Sequence, residues 1–368
     1  MTAPALSRDR PGAGPLEAII RAEIAARGPI SVAEYMALAL GHPEYGYYMT
    51  RDPLGTQGDF TTAPEVSQMF GEMIGLWLAE RLEHLGRPAP ALVELGPGRG
   101  TLMVDALRAA APLRALPLWL VETSPVLRAA QTTRLPGATH AAAFEEVPEG
   151  PILLIANEFL DALPVHQFVS DGAVWREIRV GLDANGALAR GLSAQLPGRD
   201  CAPKGSWAEE SPTADRIVAE AARRIAAHGG AALFVDYGYD AADRPAGPTL
   251  QALRGHARAD ALEEPGMADL TWLPDFDRLA RLAADAAPVT VHRSSQGAFL
   301  AALGIGQRAA SLAARIPSEA GTIADALERL CGPGEGAMGT RFKVLAITPS
   351  GATPPGFAEP TPSPGDAP

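Results

Sequence analysis

The stretch Ala91-Leu-Val-Glu-Leu-Gly-Pro-Gly-Arg-Gly-Thr-Leu102 decides the fold. Its apolar start, Ala91–Leu95, reads as a buried strand carrying one carboxylate, Glu94. Glycines follow at alternate positions, Gly96, Gly98 and Gly100, and a helical pattern starts at Thr101, Leu102 and Met103. Strand, glycine turn and helix form the first half of a nucleotide-type binding unit. Backbone there must come close to a ligand, and glycine permits it.

Further apolar runs with polar ends lie downstream. Pro117–Glu122 ends in an acid, Gly150–Ala156 runs into Asn157-Glu158, and Ala231–Asp236 ends in Asp236. Ala138–Ala143 and Arg341–Ile347 read as shorter and last strands. Helical patterns alternate with them: from Ser124-Pro125 to Leu135, Ile217–Ala227, Phe276–Ala284, Gln296–Leu303 and Ser318–Leu330. This alternation predicts an α/β fold with a mostly parallel sheet and helices on both faces. Val165–Val169 and Val174–Val180 alternate around Asp171-Gly172, the mark of an antiparallel hairpin. Residues 181–212 and 255–273 read as loop.

Upstream, Leu16, Ile19, Ile20 and Ile24 recur at helical spacing, and Ser31-x-x-Glu34 is a capping box that starts a second helix. Gly41–Thr62, rich in Gly, Pro and Tyr and without a period, reads as an ordered lid or binding loop. Thr62-x-x-Glu65 is a second capping box before one long core helix, Val66 to Leu85. The chain therefore divides into a disordered tail (1–14), N-terminal helices and lid loop (15–90), a binding core with a hairpin insertion (91–240), an added mixed α/β region with the last strand (241–348), and a second disordered tail (349–368).

The 368 residues carry a formal charge of −12, which argues against a nucleic-acid binder held by phosphate contacts. Cys201 and Cys331 stand far apart, so neither a thiolate metal site nor a disulfide framework is expected, and no metal is. No run approaches the ~18 apolar residues of a membrane span. The N-terminus lacks a secretory h-region. Lys204 and Lys343 are the two lysines in a chain rich in Ala and Arg, which suggests a GC-rich genome.

In an open parallel sheet, ligands bind outside the carboxyl ends of the strands. Glu94, Glu122, Asn157-Glu158 and Asp236 should thus converge on one crevice. A dinucleotide loop needs glycine where Thr101 stands, and Glu94 repels a pyrophosphate. Glu122 suits a ribose diol. A nucleoside that is cationic and free of phosphate fits both acids, and S-adenosylmethionine is one. Arg99 points to solvent or reaches a ligand carboxylate, the first being the simpler reading. Glu158 and Asp161 suit a guanidinium, which carboxylates bind in bidentate fashion; alternatively Asp161 caps the turn and Glu158 is a solvated loop acid. His166 reads as a satisfied sheet histidine.

Gly58-Asp-Phe-Thr-Thr-Ala-Pro-Glu-Val-Ser-Gln-Met-Phe-Gly71, Val93–Leu102, Asn157-Glu-Phe-Leu-Asp-Ala-Leu-Pro164 and Phe234-Val-Asp-Tyr-Gly238 resemble the MidA family. Gln296-Gly-Ala-Phe-Leu300, Leu303-Gly-Ile305 and Met338–Lys343 extend the resemblance over roughly residues 15–347. It implies a class I S-adenosylmethionine-dependent methyltransferase, Rossmann-like, with a family-specific addition. It also implies that Glu94, Gly96, Gly98, Gly100, Glu122 and Asn157 line the cofactor site. Gly58, Asp59, Phe60 and Thr61 would close over it, and Asn157, Glu158 and Asp161 would serve the reaction. The implied substrate is a protein arginine in the 49-kDa-type subunit of respiratory complex I, giving symmetric dimethylarginine during complex I assembly. Where the family pattern has His-Val, this chain has Leu273-Pro274 after Trp272, which bears on substrate identity. Without a clear presequence, a cytoplasmic bacterial relative is expected. A small-molecule methyltransferase, a cofactor-binding assembly chaperone without turnover and a nicotinamide oxidoreductase are the alternatives.

Overall fold

The computed structural model describes residues 14–51, 61–85, 89–196, 199–334, 336–351 and 353–358. Among them, seven strands form the central sheet in the order Val289–Ser295, Phe342–Pro349, Gly230–Tyr237, Ile152–Asn157, Ala91–Leu95, Leu118–Val121, Thr139–Ala141. All neighbours are parallel except those of Phe342–Pro349, which runs against the strands on both sides. After Ala91–Leu95 the chain lays two strands on one side, then crosses to Ile152–Asn157 on the other. The order of strands reverses between these two, the point at which a doubly wound sheet opens a crevice.

The apolar runs are continuous because both faces of the sheet are covered. On one side, Leu92, Leu153, Leu233 and Val344 pack with Met73, Trp77, Leu102 and Phe299 from the helices Gln68–Leu85, Thr101–Ala109 and Gln296–Ala302. On the other, Val93, Leu154, Phe234 and Leu345 pack with Val218 and Ile225 of Pro212–His228 and Leu279 of Phe276–Ala286. A third core holds Leu16, Ile20, Tyr35 and Met36 of the N-terminal helices with Val180, Leu270 and Trp272. Burying each such side chain is worth roughly 1.5–3 kcal/mol.

Ser31 caps Val32–Gly41 as expected: its hydroxyl accepts the Glu34 amide at 3.0 Å, and Glu34 accepts the Ser31 amide at 2.8 Å. The second expected box is absent. Thr62 makes no side-chain cap, and a four-residue helix, Ala63–Val66, ends at an extended Ser67 before Gln68–Leu85 begins. Glu65 accepts the Thr101 hydroxyl at 2.6 Å instead, which ties this segment to the glycine turn. The reading of 41–62 as loop also misses a helical turn, Tyr47–Thr50.

Two other loop readings are corrected. Residues 181–212 contain Leu188–Leu192 and Trp207–Glu210, which join the expected hairpin and Ile30–Ser31 in a five-stranded sheet. Residues 251–271 contain a three-stranded antiparallel sheet, Ala257–Ala259, Gln251–Arg254, Asp269–Thr271. The helix Ile305–Arg315 and the strand Val289–Ser295 were not expected either. The tail expected from 349 begins differently: the last strand runs to Pro349, and the Phe357 ring packs 5.3 Å from Phe299 and 5.6 Å from His292. No helix of the described residues is long and apolar enough to cross a membrane.

Candidate active site

A cavity of about 500 Å³ opens at the switch point. Its floor is the central sheet's carboxyl edge: Glu94, Gly96, Pro97, Gly98 and Arg99 from the glycine turn, Glu122 from the next strand, and Asn157, Glu158 and Asp161 across the reversal. One wall comes from Thr62, Pro64 and Glu65. The roof is the three-stranded sheet, through Gln251, Leu253, Arg258, Asp269 and Thr271, with Tyr48 beside it.

The glycines hold φ of +62° (Gly96), +53° (Gly98) and +78° (Gly100), the left-handed region. A Cβ on Gly96 would stand 2.7 Å from the Phe159 ring. Gly100 does not line the cavity, contrary to expectation. It is the N-cap of Thr101–Ala109, and a Cβ there would meet Leu135 at 2.9 Å, so its smallness serves packing.

Burial governs the acids. Glu94 is 3 % exposed, and burial pushes its carboxyl up to about 8; its Oε2 has no hydrogen-bond partner. Asn157 donates to Glu158 Oε1 at 3.2 Å, but its own Oδ1 is buried and unpartnered. Two orphaned acceptors facing one cavity call for a ligand carrying donors or positive charge. Glu122 accepts the Ser124 amide at 2.8 Å and Gln131 Nε2 at 3.4 Å, and burial raises its carboxyl as well.

Glu158 is held in an uncommon conformation, φ +50°. Its amide donates to the Val235 carbonyl at 2.9 Å, and its Oε1 accepts the Ala63 amide at 3.0 Å. Burial lifts it to about 7 against those hydrogen bonds. Asp161, 4 % exposed, is raised well above the usual range by burial and then by the charges of Asp236, Asp269 and Glu158.

Asp236 does not reach the cavity, which corrects the expectation that all four strand ends meet there. Its Oδ2 accepts the amides of Phe159, Leu160 and Asp161 at 3.0, 2.7 and 3.2 Å. It anchors the turn that presents Glu158 and Asp161. Burial, then Glu158, raise it to about 8. Arg99 lines the cavity, where solvent had been the simpler reading. Thr61 does not line it, although Thr62 does; Gly58, Asp59 and Phe60 lie outside the described residues. His166 is a satisfied sheet histidine, its Nδ1 2.7 Å from Glu177.

Sequence reasoning missed Tyr48, Tyr237, Arg341 and the roof. Tyr237 follows Asp236 directly and Arg341 precedes Phe342 in the last strand, so both were within reach of the motif reading. Asp269 accepts the Tyr48 hydroxyl at 2.8 Å, a contact across 221 positions that no local signal announces.

A seven-stranded sheet with one reversed strand, a glycine turn at its switch point and an acid at the neighbouring strand end define an S-adenosylmethionine-dependent methyltransferase. The comparisons agree. The family described as "Putative S-adenosyl-L-methionine-dependent methyltransferase" matches residues 73–295. The chain belongs to this family, the MidA family of S-adenosylmethionine-dependent methyltransferases. It is 37% identical over 392 residues to the protein arginine methyltransferase NDUFAF7 homolog, mitochondrial, of Drosophila melanogaster, covering 94% of this chain and 87% of that protein. It is 34% identical over 389 residues to protein arginine methyltransferase NDUFAF7, mitochondrial, of Homo sapiens, covering 93% and 86%. A Burkholderia thailandensis protein solved with bound S-adenosyl-homocysteine is 27% identical, covers 95% of this chain and 97% of its own, and superposes with a TM-score of 0.81. Leu273, the departure from the family pattern, is not among the cavity residues, and Trp272 turns to the core, its indole donating to the Leu163 carbonyl at 3.0 Å.

Proposed function

We propose that this methyltransferase acts on a protein arginine, through Glu158 and Asp161. The observation that carries the reading is the group of acids at one end of the cavity, Glu158, Asp161 and Asp269, enclosed with Tyr48 and Tyr237 and facing Asn157. Such a set is costly unless a cation fills it, and a planar guanidinium matches carboxylates in shape and charge.

When bound, S-adenosylmethionine supplies an electrophilic methyl on a sulfonium. Glu94, Gly96, Gly98, Glu122 and Asn157 would hold it: Glu94 meets positive charge, Glu122 the ribose hydroxyls, and the Asn157 Oδ1 a donor. Glu158 and Asp161 would hold the guanidinium and turn one of its nitrogens toward the cofactor side of the cavity. Burial raises both carboxyls, and an arriving guanidinium favours their ionised form. After transfer, one of them takes the proton the nitrogen must lose. Tyr48, Thr62 and Pro64 line the same cavity.

This reading divides labour along the chain. Residues 91–240 bind the cofactor, 15–90 close one wall, and 241–348 supply the substrate side. The proposed target, on the family resemblance, is an arginine of the 49-kDa-type subunit of complex I, carried to symmetric dimethylarginine during assembly. The compartment is open, since the relatives are named mitochondrial while a bacterial cytoplasm is expected for this chain, and cell fractionation decides it.

The test has two parts. Calorimetry with S-adenosylmethionine must show binding; none at high micromolar concentration sinks the cofactor assignment. Mass spectrometry of complex I subunits from cells with and without the gene then reads the substrate. An unchanged methylarginine pattern removes complex I.

A further inference from the structure

The cavity roof carries its charges in register. Arg258 stands opposite Leu253 in one antiparallel pair, and Leu253 stands opposite Asp269 in the next. Opposed residues project to the same face, so the three form a row, and all three line the cavity. The row spans two inter-strand spacings, about 10 Å.

Its ends differ in kind. Asp269 holds the Tyr48 hydroxyl and adds its charge to the field on Asp161. Arg258 is exposed and has no hydrogen bond or ion pair among the described residues. Arg341 is also at the cavity and exposed, and its guanidinium stands over the face of Tyr237, 5.8 Å from the ring centroid. In a chain of net charge −12, a guanidinium at an acidic cavity with no anion paired to it among the described residues calls for one from outside.

We propose that Arg258 is a subsite for an acidic side chain of the protein substrate, two or three residues from the methylated arginine. The inference rests on the arginine reading above. An extended chain advances about 3.3 Å per residue, so the row's length matches that separation. The polarity is also right: a target guanidinium at the Asp269 end leaves its acidic neighbour at the Arg258 end. The subsite selects against lysine-flanked arginines by repulsion and favours Asp or Glu by pairing.

The test uses the full-length enzyme and synthetic eleven-residue peptides with one central arginine. One set carries Glu at each position from four before to four after it, and matched sets carry Gln or Lys. The expected result is a KM about three- to tenfold lower for Glu than for Gln at two or three residues' distance, with no preference further out. Arg258→Glu inverts the order, so that the Lys peptides become the better substrates. S-adenosylmethionine calorimetry on Arg258→Glu, with a thermal melt, shows whether that variant is folded; Arg258→Gln, which abolishes the preference without inverting it, supplies the comparison should it fail. Equal KM values for the Glu and Gln peptides overturn the acidic subsite and leave arginine methylation standing. Lost cofactor affinity in a folded Arg258→Gln overturns it too, because the guanidinium then serves the cofactor. If no arginine peptide is methylated at all, both readings fall together.

Discussion

The Ser124 hydroxyl donates to the backbone carbonyl of Tyr48 at 2.6 Å, while the Ser124 amide donates to Glu122 at 2.8 Å. One residue thus joins the acid expected to hold the ribose to the tyrosine that donates to Asp269. Ser124 also caps the helix Pro125–Arg134, its Oγ accepting the Leu127 amide at 3.3 Å. Ser124→Ala removes the cap and leaves the Tyr48 carbonyl without its donor. The expected loss is about 2 kcal/mol in chemical denaturation, and KM for the arginine substrate rises along with the cofactor Kd. A variant that shifts only one of the two constants breaks the proposed link.

Glu94 is a carboxyl held up to about 8 by burial. The folded state therefore keeps its proton over a range in which the unfolded chain, near 4.5, has released it. The sign follows: the contribution of Glu94 to stability is worst at high pH and improves as pH falls below about 8. Without ligand, Glu94→Gln is expected to be more stable than the parent by about 1–3 kcal/mol at pH 8 and to gain little at pH 5. Its affinity for S-adenosylmethionine falls at the same time. Denaturation at the two pH values, with calorimetry beside it, checks both halves. A variant destabilised at pH 8 speaks against a buried, protonated carboxyl.

Glu158 is raised to about 7. Binding a guanidinium and taking its proton both need the carboxylate, so kcat/KM should climb with pH and level off above about 7, as the free enzyme's group titrates. Glu158→Gln should lower kcat by about 10²–10⁴-fold and leave cofactor affinity within a few-fold. A flat profile between pH 6 and 8 would remove Glu158 from the acid–base step.

Asp236 works through the turn it holds. Asp236→Ala takes the acceptor from three amides at once, Phe159, Leu160 and Asp161, at an expected cost of about 3 kcal/mol. Asp236→Asn keeps an acceptor oxygen and should recover much of the stability and of the rate. Equal damage in both variants, read by denaturation and kcat, would mean that charge rather than the amide contacts is what matters.

The sheet was legible because its strands are buried on both faces and read as unbroken apolar runs: Ile152-Leu-Leu-Ile-Ala156 admits few other readings. The additions were not. Leu188-Ala-Arg-Gly-Leu192 is half open to solvent and carries a glycine, so it lacks both a continuous run and a clean alternation. Ala257-Arg-Ala259 is three residues long and pairs on one side only. Thr62-x-x-Glu65 has a capping-box pattern, yet Thr101 takes Glu65 from 36 positions away. The site was legible in the same proportion. Glu94, Glu122, Asn157, Glu158 and Asp161 sit at strand ends, where topology says to look. Tyr48, Arg258 and Asp269 reach the cavity through pairings between distant segments.

The reversed strand Phe342–Pro349 lies between Gly230–Tyr237 and Val289–Ser295, yet it is made after both. During synthesis, Gly230–Tyr237 must wait more than a hundred residues for its second neighbour, with one edge of an almost wholly buried apolar strand unpaired. Such an edge invites pairing with another chain. A nonsense codon or proteolytic cut before residue 342 therefore leaves more than a shortened enzyme: the product keeps its glycine turn but carries an open, sticky edge. Such fragments are expected in the insoluble fraction of a lysate.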